Sequence, residues 1–274
     1  MNKINRKLHL SKTKHSKFNE SGQLFFFYIG SVVWGLDILI REKWIMNLPS
    51  FWNEYPHTNM ALQTKFFVII QLAYWLHNFP ELYLQKVKKD EMVAKCIHPT
   101  LYLVFIIGGY VLNLSRLLIA LIILHYVAEL CFHLARLLYL IGKETVANSV
   151  FTVWNIVFIA ARLATVTLSV LTLWFGMGAT SKGMIDLKKG DFNTTLVRAH
   201  SLLAVGLLQG WLMWNFINFH LKRRRKDGSS TDGHGYVSST TSAKATPSPK
   251  NKAQRRTGKA EGTVNGVKNS KKNH

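Results

Sequence analysis

The sequence predicts an all-α membrane protein, a polytopic bundle of about six transmembrane helices followed by a disordered basic tail. Two patterns in the 274 residues predict it. First, 48% of them are hydrophobic, and these residues fall in long runs rather than in alternation. A helix crosses a bilayer with ~20 mostly apolar residues at ~1.5 Å per residue, and soluble core helices do not recur six times in this form. Second, the formal charge is +21, and its lysines and arginines concentrate between alternate runs and in the tail.

The elements follow in order. Residues 1–20, MNKINRKLHLSKTKHSKFNE, form a basic, polar N-terminal segment. It has no apolar core and no small-residue cleavage site, so no cleavable signal peptide is expected and the first span serves as an uncleaved anchor. Spans are expected near 24–40, 61–80, 97–114, 117–141, 150–176 and 196–221, within a membrane domain covering 17–225. The run at Leu101–Leu114 is the shortest and needs residues from Cys96 onward. Pro80 ends or kinks the second helix, because proline lacks a donor and clashes with the preceding turn. Residues 226–274 are rich in Ser, Thr, Gly, Asn and Lys, with almost no large apolar residue, and cannot bury enough surface to fold.

The short connections set an orientation. Lys3, Arg6, Lys7, Lys12, Lys14 and Lys17 precede the first span. Lys86, Lys88, Lys89 and Lys95 follow the second, Arg136 and Lys143 edge the fourth connection, and Lys222–Lys226 opens the tail. The opposite connections hold Arg41 and Lys43, then Arg116, then Lys182, Lys188 and Lys189. Both termini are therefore expected in the cytosol, with an even number of spans. The basic tail suits anionic partners such as the cytosolic lipid face, and no specific nucleic-acid interface is expected. Thr246-Pro-Ser248-Pro-Lys250 reads as a proline-directed phosphorylation motif, with Ser248 as its acceptor. Asn113-Leu-Ser115 and Asn193-Thr-Thr195 fit the glycosylation pattern. Both abut a span, so neither is expected to be modified.

Chemistry is suggested by one stripe. His125, Glu129, His133 and Arg136 recur at spacings that place them within ~80° of one helical face. Ionisable groups in a span usually face the bundle interior or a water-filled cavity. His77 and Glu81 are four apart near the end of the second span, Arg162 lies in the fifth, and Gln209 and Asn215 in the sixth. These supporting positions are expected to enclose a polar interior. The spacing is not H-E-x-x-H and no further ligands stand by, so no metal and no cofactor are expected. Cys96 and Cys131 form no framework. On residue types alone the stripe reads either as a self-satisfied polar seam between helices or as a lipid-handling or catalytic site.

From His98 to Tyr139 the chain resembles the core of the TLC superfamily, which includes ceramide synthases and translocating chain-associated membrane proteins. Against the synthase pattern, His98 matches the first histidine of a pair and Pro99 replaces the second. His125 is retained, Tyr126 and Glu129 stand at two aspartate positions, His133 at a glutamate and Arg136 at a lysine. Acyl transfer is therefore not expected. Ser11–Leu24, Gln71–Glu91, Leu124–Leu140 and Trp214–Arg225 resemble the translocating chain-associated membrane proteins, over about residues 3–225. That family typically has eight spans, and the first two have no expected counterpart here.

This resemblance implies a TLC-like fold and a non-enzymatic role in the endoplasmic reticulum membrane. The chain would assist cotranslational translocation and membrane insertion by contacting signal sequences or transmembrane segments. The implied partners are the Sec translocon, nascent secretory and membrane chains, and membrane lipids such as a sphingolipid or sterol. The alternative is a TLC-type sphingolipid-binding protein or ceramide synthase-like enzyme. A relay for transport is the remaining reading, and no inverted repeat supports it.

Overall fold

The computed structural model describes residues 12–84, 89–181 and 183–227. Most of the N-terminal segment before Lys12 and the tail beyond Asp227, including Ser248, lie outside them. The described residues form long helices without a strand: α1 (Lys12–Arg41), α2 (Leu62–Leu84), α3 (Lys89–Val111), α4 (Ser115–Leu140), α5 (Glu144–Ser169) and α6 (Thr195–Asp227). A π-helical stretch, Val170–Gly176, and a last turn, Met177–Ala179, prolong α5 without a break.

Helix α1 starts three turns before the apolar run that begins at Leu24. Its backbone hydrogen bonds close within the helix whatever the solvent, and Phe18 and Ser21 are buried in this extension. Among the described helices, α1, α3, α4, α5 and α6 are long and apolar enough to cross a membrane. The expected second span, α2, has the length but falls short in apolarity. Lys65, Gln71, His77, Asn78, Pro80 and Glu81 dilute it, and Pro80 sits within the helix without ending it.

Helices α1, α3 and α4 stop by a shared device. At Lys43, Asn113 and Gly142 the backbone turns left-handed, with φ of 57°, 55° and 87°. At each, the next N–H reaches back to the carbonyl five residues earlier: Trp44 to Leu39, Leu114 to Gly109 and Lys143 to Leu138. This Schellman geometry satisfies carbonyls that the helix end would leave open. It sets the tight antiparallel turns that bring α4 to the centre, where it packs most extensively on α1 and α5. Tyr28, Phe67, Ile106, Leu118, Ile119 and Tyr126 form the apolar core around it.

At the end of the bundle holding the α1–α2, α3–α4 and α5–α6 connections, a polar cap ties the three together. Tyr55 donates to Leu112 O (2.7 Å) and accepts from Phe192 N (3.3 Å). Asn113 Nδ2 donates to Gly190 O (2.9 Å), and Arg116 Nη1 to Ser50 O (2.5 Å). Asn193 is buried and its Nδ2 donates to Met177 O (2.8 Å). Trp52 lies on Gly176 so closely that a Cβ there would stand 2.2 Å from its ring.

Candidate intramembrane polar site

Half-way along the bundle, polar side chains of α3, α5 and, through Arg162, α6 converge on His125 of α4. Arg162 Nη2 of α5 donates to His125 Nδ1 at 2.7 Å. A guanidinium only donates, so Nδ1 is the acceptor and the imidazole proton sits on Nε2. That nitrogen faces the hydroxyl of Tyr102 on α3. Arg162 Nη1 donates to Gln209 Oε1 of α6 at 3.0 Å, and its guanidinium lies 4.9 Å from the Phe158 ring centroid. The side chain is 2% exposed and its Nε has no hydrogen-bond partner.

Beside this centre, an aromatic wall extends the network to α1 and α2. Tyr102 stacks on Trp75, with ring centroids 3.8 Å apart, and His98 sits edge-on to both. Trp75 Nε1 donates to Tyr126 Oη (2.8 Å), Tyr126 donates to Gln71 Oε1 (2.9 Å), and Gln71 Nε2 donates to Ser31 Oγ (3.1 Å). Gln71 and Tyr126 are fully buried. The chain of bonds satisfies each group that burial removes from water, which a low-dielectric interior requires.

The predicted stripe does not act as one unit. His125 and Glu129 belong to the central chamber. His133 is buried one turn further on, between the rings of Tyr28 and Phe132, with Nδ1 unpartnered. Arg136 reaches Glu20 Oε2 of α1 at 3.4 Å, at the opposite end of the bundle from the cap. Of the supporting positions, Arg162 joins the centre. His77 pairs weakly with Glu81 (3.9 Å) and faces outward, as does Asn215, so neither enters the interior. Sequence reasoning missed Tyr102, Trp75, Tyr126, Gln71 and Glu20. Tyr102, Trp75 and Tyr126 sit in apolar runs where aromatic residues read as core, and Gln71 is a polar residue within such a run. Their signal was the four-residue spacing in Gln71/Trp75 and His98/Tyr102, which repeats that of His125/Glu129.

Residues 17–218 match the family described as TLC domain. The chain belongs to the TLC domain family. It is 46% identical over 226 residues to Translocating chain-associated membrane protein 2 of Homo sapiens, covering 82% of this chain and 60% of the relative. The Mus musculus protein of that name is 45% identical over the same length. Ceramide synthase 4 of Homo sapiens is 22% identical over 167 residues, or 61% of this chain and 42% of the relative. The chain thus spans 60% of the length of the first curated relatives it matches. The polar centre, from Gln71 to Gln209, lies wholly within the TLC domain.

Proposed function

We propose that this TLC-domain protein assists cotranslational translocation and membrane insertion at the endoplasmic reticulum, by contacting signal sequences or transmembrane segments of nascent chains beside the Sec translocon. The 46% identity over 226 residues to Translocating chain-associated membrane protein 2 carries this reading. The interior supplies a physical rationale. A bundle with a polar mid-level offers partners to the polar groups of a marginally apolar segment, and a charged residue at the centre of a span costs about 2.5–3.5 kcal/mol on insertion scales. The bundle acts without catalysis. Both His125 nitrogens are engaged, by Arg162 and Tyr102, and a general base needs a free one.

In this proposal both termini are cytosolic and α2 crosses the membrane as well. Its polar Gln71 supports that crossing, since it is fully buried and bonded within the bundle. The cap then faces the lumen. Asn113 and Asn193 stay unglycosylated there, because their Nδ2 atoms, where the sugar attaches, hold loop carbonyls. Lipids, a sphingolipid or sterol among them, surround and contact the bundle.

The test is insertion of a graded signal-sequence series into reconstituted vesicles with and without this chain, read by site-specific crosslinking. Weak signals should gain efficiency and crosslink, and strong ones should gain little. Equal dependence across the series would sink the mechanism. A second reading, a ceramide synthase-like lipid protein, has the 22% identity to Ceramide synthase 4 in its favour. Acyl transfer to a long-chain amine by the purified chain would establish it instead.

A further inference from the structure

Glu129 is the acceptor of the polar centre that the network leaves open. Its carboxylate accepts no hydrogen bond among the described residues. The nearest basic nitrogen, His125 Nε2, is 4.0 Å from Oε1, and its proton is directed to Tyr102. Arg162 is held by His125, Gln209 and the face of Phe158, and acts on Glu129 only through space. The Glu129 side chain is 20% exposed, so it can be reached from outside. His98 is exposed on the face of α3 that carries Tyr102. Helices α3 and α6 are also the least buried of the spanning helices. A carboxylate held among aromatic rings and lacking a donor is a half-built site, because an unmatched acceptor in a low-dielectric interior costs free energy that a donor recovers.

We propose that Glu129 selects the clients of this protein: it receives a lysine or arginine side chain carried within an otherwise apolar polypeptide segment. The proposal rests on the translocation reading above. The complementarity is one of charge. The client supplies a cation with hydrogen-bond donors, and Glu129, its side chain 20% exposed, supplies the acceptor. Basic residues are also among the costliest to place at mid-membrane, so such segments gain most from a waiting carboxylate. A segment bearing an acidic residue meets like charge at the same place and is refused.

The experiment uses the full chain in reconstituted vesicles and a model segment of fixed length. Its central residue is Leu, Gln, Lys or Asp, and insertion is scored with and without the protein. The protein should raise insertion of the Lys segment by roughly tenfold or more relative to the Leu segment, as a charge-assisted hydrogen bond would. The Asp segment should gain nothing. Glu129→Gln should remove most of the Lys advantage while leaving the Leu segment unchanged. Thermal melting of the variant confirms its fold, and the client series in the unaltered protein decides the matter even if the variant fails to fold. Equal gains for Lys and Asp would overturn the selection by Glu129 and leave the translocation role standing. No gain for any segment would overturn both.

Discussion

At mid-level the polar side chains bond chiefly to one another, across helices; at the loop end they bond chiefly to backbone carbonyls. Trp75, Tyr126, Gln71 and Ser31 make a side-chain chain, and Arg162 bridges His125 and Gln209. In the cap, Tyr55, Asn113, Arg116 and Asn193 each hold a carbonyl of a distant segment. Loops leave peptide groups unpaired and must find partners for them, whereas spanning helices have satisfied theirs already. The polar atoms of the middle therefore join helix to helix, and those of the cap are engaged in closure.

The division can be broken at its tightest point first. Gly176→Ala would force a methyl into the ring of Trp52, which has no free end to swing aside. A loss of about 3 kcal/mol, at the upper end for overpacking, is expected in thermal melts of the solubilised protein. A loss below ~1 kcal/mol would mean that the cap yields easily. Next, Tyr126→Phe strands the Trp75 N–H and takes the donor from Gln71, both buried, and should cost about 2 kcal/mol. It should also lower insertion of weak signals, which separates a working network from a merely structural one. Tyr55→Phe removes a comparable pair of bonds at a half-buried site, where water can replace them. About 1 kcal/mol is expected, with client insertion unchanged. An equal cost at Tyr55 and Tyr126 would erase the contrast.

The smallest effect concerns pH. Burial, with Arg116 nearby, holds His57 below the ordinary histidine range, while Nε2 bonds to Asn53 O. The unfolded chain then binds a proton that the folded cap refuses. The contribution of His57 is full above about pH 6.5 and is lost as pH falls through that value toward the lower folded pKa. Proteolysis of the loop end should rise on mild acidification, and His57→Gln should flatten that rise. A loop equally resistant at pH 7 and pH 5.5 would remove His57 from the account.

Much of the fold was legible because apolar runs of span length leave few alternatives to helices. The positive-φ stops at Gly142 and Asn113 could be read from residue types that favour a left-handed turn, whereas that at Lys43 could not. The second helix is the least legible: its run reads as continuous, but its polar positions leave it short of the apolarity of the others. In the candidate site, His125 and Glu129 were legible from their spacing on α4. His77 and Asn215 read the same way and point outward, because spacing places a residue on a face without saying which face meets the bundle.

The sequence by itself determined that this chain is a helical membrane bundle, since that follows from the length and apolarity of each segment, and its motifs carried the resemblance to the TLC domain family that the family match bears out. Only the tertiary structure decided that Arg162 is held by a histidine and a glutamine rather than by a carboxylate, that Arg136 finds Glu20 across 116 residues, and that Glu129 has no donor among the described residues. These pairings depend on the rotation of each helix about its axis. Packing sets that rotation, and no periodicity within a single helix records it.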